Sequence, residues 1–260
     1  MKYWDKAWSL VEGCTPVSPA CQNCWLEAMA HRFKTSIECE DGSCLELTDE
    51  DGNWMGDVIL MKSRLDIPMK IKKPTVFAIW SDLFHERVPA DFIIEAFERM
   101  EYCKQHTFLV LTKRPERIAT VLYGQEYGQE GHFYLGAGDY IQNVWLGTTI
   151  ENQEMADKRI PELLKCEPFN LFLSVEPMLS PIILPENIEG VTQVIYGGET
   201  GSNARLCNYD WVEDLKNQCI AKKIKFFFKG IGSKRNPSFR TLHGKEGNDL
   251  AWNFKGAEKS

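Results

Sequence analysis

Cys14, Cys21 and Cys24 form the pattern C-x6-C-x2-C and are the residues whose type and spacing best suit chemistry. Ser18 is a favourable N-cap residue and Pro19 fits a first helical position. The pattern therefore predicts a helix starting there, with Cys21 and Cys24 on one face of its first turn and Cys14 folding back from the preceding loop. The unpaired N–H groups of a helix start favour the thiolates that metals need. A structural zinc ion closes with four protein ligands, whereas three thiolates on a four-iron cluster leave one iron open to a substrate or cofactor. Two other readings of the spacing stand beside that one. The three cysteines could be part of a zinc site completed by Cys39, Cys44 or His31, or they could be small core residues.

The rest of the chain must position this motif. At 260 residues with 43% hydrophobic composition, it is long enough for one large domain with a sizeable core. No run of 18 apolar residues occurs, and the first residues lack a basic segment followed by an apolar one. The expectation is a cytoplasmic protein with no membrane span. Nine cysteines are an odd number in a chain too large to need disulfide staples, which suits free thiols in a reducing compartment. Cys103, Cys166 and Cys219 sit in apolar or helical patterns and read as core. The formal net charge of -7 argues against a surface coated for nonspecific nucleic-acid binding. A local run does hold Lys62, Arg64, Lys70, Lys72 and Lys73 against the single acid Asp66. It reads either as a solvated face or as a patch that contacts phosphates.

A short first strand reads at Trp8 to Glu12, and apolar runs that read as strands buried on both faces occur at Thr75 to Trp80, Thr107 to Leu111, Val144 to Gly147, Asn170 to Val175, Gln193 to Tyr196 and Ile224 to Phe228. Helical patterns follow at Pro89 to Lys104, Pro115 to Tyr123, Asn152 to Lys165 with a break near Pro161, and Asp210 to Lys222, where Asp210 and Glu213 resemble a capping box. Strand and helix in alternation predict an α/β fold with a parallel sheet, as a partial or nearly closed (β/α) barrel. Residues 34 to 57 read as an insertion or lid, residues 124 to 138 as a mobile loop on the opposite side, and residues 231 to 260 as a polar C-terminal extension of the 1–230 barrel.

Polar residues gather where the strands end. Ser81, Asp82, His85 and Glu86 follow one strand; Thr112, Lys113 and Arg114 the next; then Thr148, Thr149, Glu151 and Asn152; then Glu176; then Gly197, Gly198, Glu199 and Thr200; then Lys229. Parallel sheets and barrels collect their ligands at the carboxyl ends of their strands.

The segments GCTPVSPACQNCWLEAMAHRF, SDLFHERVP, FLVLTKRPERI, VWLGTTIENQEMADKRIP, FLSVEPMLSPI and VIYGGETGSNARL together resemble the three-Cys-motif proteins of phages and bacteria, a radical SAM-like family. The general layout also resembles spore photoproduct lyase-type radical SAM proteins. The usual radical SAM spacing is C-x3-C-x2-C, and the first gap here is longer. The resemblance implies a [4Fe-4S] cluster on Cys14, Cys21 and Cys24, with S-adenosylmethionine on the open iron and hydrogen abstraction from a substrate. It also implies a separate three-Cys-motif partner protein. The sulfonium and ammonium of that cofactor want carboxylates, which suggests Asp82, Glu176 and Glu199. Its ribose and carboxylate want hydroxyls, amides and cations, which suggests Ser81, Thr148, Asn152 and Lys113 or Arg114. Gly197 and Gly198 would admit a ligand to the backbone. His85 and Lys113 are the catalytic candidates, with His85 equally readable as a structural hydrogen-bond partner. The competing class is a zinc-binding, noncatalytic α/β protein or an accessory nucleic-acid-binding factor.

Overall fold

A run of apolar residues can be buried on both faces only if something packs on each side of it, and the strands of this chain meet that condition together. The computed structural model describes residues 2–33, 46–124, 135, 139–201, 203–232, 241–242, 245–246 and 250–252. Seven strands form one sheet: β1 (Lys6–Ser9), β4 (Val76–Trp80), β5 (Thr107–Thr112), β6 (Val144–Thr149), β7 (Asn170–Val175), β8 (Val191–Gly197) and β9 (Lys225–Gly230). They lie in that order, every neighbouring pair is parallel, and the sheet curls into a half-barrel with β1 and β9 as its edges. The expectation of a partial parallel barrel agrees with this architecture.

Helices α1 (Trp25–Arg32), α2 (Ala90–Tyr102), α3 (Glu116–Tyr123), α4 (Gln153–Leu164) and α5 (Tyr209–Ala221) link the strands. The large cluster that includes Phe97, Phe108, Leu122, Leu146, Leu173 and Phe228 forms the main core, where strand residues meet the buried sides of α2 to α5.

Three boundaries differ from expectation, each for a local reason. The first strand divides: the chain leaves the sheet after Ser9, and β2 (Val11–Glu12) pairs antiparallel with β3 (Ile59–Leu60) instead. Helix α4 runs unbroken through Pro161. The lost hydrogen bond would have reached the carbonyl of Asp157, on the exposed side of the helix, where solvent has access to it. The cap of α5 is Asn208, whose side chain accepts from the Asp210 N–H at 3.0 Å, so the helix begins one residue before the expected Asp210 box.

The two-residue period of each strand decides what enters the bore. Alternate residues Val76, Leu109, Trp145, Phe172, Ile195 and Phe227 form a second cluster on the concave face, joined by Tyr3 and Trp252. Trp252 closes the end where the strands begin. Its indole packs 5.1 Å from Trp145 and 6.0 Å from Phe172, and its N–H donates to the Tyr3 carbonyl at 3.0 Å. Part of the C-terminal extension thus packs into the barrel. Residues 34–45, which include Cys39 and Cys44, and most of 124–138 lie outside the described residues. Residues 46 to 57 dock on α1, where Glu27 Oε1 accepts from the Trp54 N–H at 2.9 Å. No helix among the described residues is long and apolar enough to cross a membrane.

Gly147 lies under the Phe172 ring, and a Cβ there would stand 2.4 Å from the ring. Gly147→Ala is therefore expected to destabilise the protein by about 1–3 kcal/mol, because the ring must leave its rotamer or the strands must part. Denaturant unfolding of the purified variant measures this; an unchanged midpoint would show that the bore has slack.

Candidate functional site

The strand period that sends Trp145 and Phe172 into the floor sends Trp80, Lys113, Thr149, Glu176, Gly197 and Lys229 into the upper bore. There they line a cavity of about 640 Å³ at the carboxyl ends of the strands. Cys14, Cys21 and Cys24 line the same cavity and are free thiols. The motif that the sequence singles out and the strand-end rim therefore meet in one place.

The helix expected from Ser18 is shorter than the spacing predicts. Pro19–Cys21 makes a single 3-10 turn, the Ser18 side chain caps nothing, and α1 begins only at Trp25 with Cys24 as its N-cap. Side chains from the far rim hold the intervening residues. Arg205 Nη2 donates to the Pro19 carbonyl at 3.0 Å, and Asn23 Nδ2 donates to Glu199 Oε2 at 3.0 Å and to the Asn203 carbonyl at 2.9 Å.

Three such fastenings hold the cysteine loop. In the first, Arg114 Nη1 donates to Asp82 Oδ2 at 2.8 Å, its Nε faces Glu86 Oε2 at 2.6 Å, and its Nη2 donates to Thr15 Oγ1 at 2.6 Å and to the Thr15 carbonyl at 3.2 Å. Asp82 Oδ1 accepts from Thr112 Oγ1 at 2.6 Å and from the Phe84 N–H at 3.1 Å. His85 joins from behind. Its Nδ1 accepts from the Arg87 N–H at 3.2 Å, so Nε2 carries the proton that points to Thr15 Oγ1, 2.9 Å away. Thr15 in turn donates to Glu86 Oε1 at 3.2 Å. Burial, followed by the neighbouring Arg114, holds the His85 pKa below its ordinary value. That agrees with the neutral tautomer.

The second fastening is Glu151, fully buried, whose Oε1 accepts from the Ala20 N–H at 3.3 Å while its Oε2 receives Arg159 Nη1 at 2.8 Å. The third is Glu199, paired with Arg205. Burial pushes the Glu199 carboxyl up, but hydrogen bonds from Arg205 and Asn23 outweigh it and hold the group below its ordinary range.

Burial pushes Cys14 up to about 11, the Asp82 carboxylate adds to the rise, and Arg114 and Lys113 oppose it. This is the reverse of the thiolate-favouring environment expected of a helix start. The contacts of Cys14 Sγ to the Thr15 carbonyl at 3.6 Å and of Cys21 Sγ to Ser18 Oγ at 4.0 Å are weak.

Among the described residues no three His, Cys, Asp or Glu side chains are gathered closely enough to hold a metal ion. A single tetrahedral ion with bonds of about 2.3 Å would need the sulfurs drawn together. In a cluster each cysteine binds a separate iron; the three free thiols that line this cavity match such a group by donor type.

The other sequence candidates fall into two sets. Lys113, Glu176, Gly197 and Gly198 line the cavity. Glu176 Oε1 accepts from Tyr3 Oη at 3.2 Å, and Lys229 Nζ pairs with its other oxygen. A Cβ on Gly197 would lie 2.5 Å from Glu176 Oε2, and one on Gly198 would overlap the Ile231 carbonyl. The space these glycines leave is filled by the protein's own carboxylate and backbone. Ser81 lines the cavity at φ 62°, and its Oγ is buried without a partner. By contrast, Thr148 points away from the bore and donates to the Thr112 carbonyl at 2.9 Å, Asn152 caps α4 by accepting from the Met155 N–H at 2.8 Å, and His85 stands behind the loop. In the basic run, Arg64 pairs with Glu12 at 2.6 Å, while Lys72 and Lys73 precede the start of β4, at the end opposite the cavity. The sequence reading placed Thr149 on the rim without a role and did not single out Thr15, Arg205 or the four cavity tryptophans Trp4, Trp25, Trp54 and Trp80.

These features define a parallel α/β half-barrel with a thiol-rimmed cavity at its strand ends. The chain belongs to the family described as protein of unknown function (DUF5131), whose model matches residues 1–254. No curated protein and no solved structure matches the chain.

Proposed function

We propose that this chain is a radical SAM-like enzyme, with Cys14, Cys21 and Cys24 as ligands of a [4Fe-4S] cluster whose open iron takes S-adenosylmethionine. The observation that carries the reading is the convergence of three free thiols on one strand-end cavity, held by three independent fastenings. When bound, such a group supplies homolytic cleavage of a sulfonium and hydrogen-atom abstraction; the protein supplies position, dryness and charge.

Position and charge have residues here. Arg114, Glu151 and Arg205 fix the loop so that little reorganisation is needed when the ligands load. Lys113, which makes no ion pair or hydrogen bond among the described residues, is the cavity cation open to a ligand carboxylate. Thr149 replaces Thr148 as the hydroxyl of β6 that faces the bore. Of the three acids suggested by sequence, Asp82 and Glu199 have their oxygens committed to holding the loop, while Glu176 accepts from Tyr3 and pairs with Lys229.

The test is anaerobic purification with iron, sulfide and zinc analysis, then incubation with dithionite and S-adenosylmethionine and chromatography for 5'-deoxyadenosine. The expected result is iron and sulfide that disappear in Cys14→Ala, Cys21→Ala or Cys24→Ala, survive in Cys39→Ala and Cys44→Ala, and support 5'-deoxyadenosine release. Stoichiometric zinc that is lost on changing Cys39 or Cys44 would replace this reading with the zinc-binding one. A loaded cluster that neither binds nor cleaves the cofactor would leave a noncatalytic cluster protein.

A further inference from the structure

Four of the chain's eight tryptophans, Trp4, Trp25, Trp54 and Trp80, line this one cavity, and the reading above uses none of them. Trp25 follows Cys24 directly and leaves 51% of its surface exposed at the mouth. Its ring meets Trp80 edge to face at 4.8 Å, and Trp80 meets Trp4 edge to face at 5.8 Å. Lys2 Nζ lies 4.0 Å from the Trp4 ring and covers it, so Trp25 is the more open platform. Half-exposed indoles cost hydration and give the fold little. Their concentration on one wall calls for a flat apolar partner.

The opposite side of the half-barrel carries polar groups. β4, which ends in Trp80, lies near one edge of the sheet, whereas β7 and β9, which deliver Glu176 and Lys229, lie toward the other. There a carboxylate and an ammonium stand side by side, with Tyr3 Oη and Ser174 Oγ also on Glu176. An acceptor and a donor next to each other match the edge of a heteroaromatic ring that offers both, as nucleobases do. A plain hydrocarbon ring has no polar edge to add to this pair.

Charge separates a single base from a nucleic-acid strand. The cavity acids Asp82, Glu176 and Glu199 are matched in turn by Arg114, Lys229 and Arg205, so among the described residues Lys113 is the lining cation that no ion pair occupies. Lys72 and Lys73 lie at the far end of the barrel, and the chain's net charge is -7. A polyanion would find little to hold it.

We infer that the substrate of this site is a small nucleobase-bearing molecule, its ring stacked on the Trp25–Trp80 wall and its polar edge turned to Glu176 and Lys229. The inference rests on the proposed function for the word substrate. Binding itself is measurable without the cluster.

The experiment is a titration of reduced, iron-free protein with adenosine, guanosine, cytidine and uridine, read by tryptophan fluorescence and calorimetry. Toluene serves as the ring control and a mixed-sequence single-stranded 12-mer as the strand control. At least one nucleoside is expected to quench the fluorescence and to bind better than toluene. Trp25→Ala should weaken that nucleoside about tenfold or more and Trp25→Phe much less, since any aromatic face can stack. Glu176→Gln should reorder the four nucleosides. Circular dichroism of each variant confirms folding, which Trp25 at the start of α1 and half in solvent should not threaten. Binding is also expected to persist in Cys14→Ala and with saturating S-adenosylmethionine present. Several outcomes would overturn the inference: no nucleoside binding, equal binding by Trp25→Ala, displacement by S-adenosylmethionine, or tighter, salt-sensitive binding of the 12-mer. Nucleoside binding without iron in the native protein would refute the cluster and keep the base site, whereas a working cluster with no nucleoside binding would do the reverse.

Discussion

Arg114→Leu is expected to lower unfolding free energy by about 3–5 kcal/mol and to abolish metal loading in whatever protein remains folded. The guanidinium and its Asp82 partner expose only 6% and 9% of their side chains, so deleting the cation strands a buried carboxylate. Burial works against the charge on Arg114, yet Asp82 more than offsets it and holds the group firmly protonated. The contact to Glu86 adds little to this sum, because Glu86 is 55% exposed and its charge is screened by solvent. The same side chain makes both bonds to Thr15, the residue next to Cys14. Two variants separate these effects. Arg114→Leu combined with Asp82→Asn should recover part of the stability, since no buried charge is left, but should not recover iron. Arg114→Lys should keep the charge but cannot reach Asp82, Glu86 and Thr15 together, so it should fold better than Arg114→Leu and still load poorly. Urea unfolding and iron content by chelator absorbance are the measurements. Full iron loading in a destabilised Arg114→Leu protein would show that the Thr15 bonds do not matter to the cysteine loop.

Much of the fold was legible because parallel strands buried on both faces leave a plain trace. TVFAIW, FLVL, NLFLSV and KFFF read as strands from composition alone, and the helices that follow most of the strands point to parallel neighbours. The rim was legible for a related reason, since strand ends are where polar residues break those runs. The side-chain direction within a strand end was harder to read. Thr148 and Thr149 are adjacent and chemically alike, and only the register that puts Trp145 and Gly147 in the bore makes Thr149 the one that faces it. Charge chemistry alone did not show the partners of Asp82 and Glu199. A carboxylate on a rim invites a ligand role, but a pairing between Asp82 and Arg114, or between Asn23 and Glu199 across 176 residues of chain, exists only in three dimensions. The helix expected at Ser18 failed on the same account: local propensity favoured it, and Arg205 and Glu199 pulled the loop into a single turn instead.

Arg159→Met should cost a comparable amount, about 3–5 kcal/mol, through a different wall of the site. Arg159 projects from the buried side of α4 and is 3% exposed, while its partner Glu151 is wholly buried. Nη1 donates both to Glu151 Oε2 and to the Thr149 carbonyl, each at 2.8 Å. Methionine fills much of the stem's volume, so the loss reports the stranded carboxylate rather than a cavity. Glu151 then keeps one side-chain bond, from the Ala20 N–H at 3.3 Å, which cannot compensate a buried charge. Adding Glu151→Gln to Arg159→Met removes that charge, retains an acceptor for Ala20, and should restore a substantial part of the stability. The size of that recovery, from urea unfolding of the two single variants and the double, gives the coupling within the pair. Because Ala20 lies in the turn that carries Cys21, Arg159→Met should also speed alkylation of Cys21 by iodoacetamide, followed by mass spectrometry, while the double variant returns it toward the native rate. A double variant no more stable than Arg159→Met would mean that Glu151 is not the residue left stranded, and unchanged Cys21 alkylation would mean that this pair supports the barrel without holding the cysteine loop.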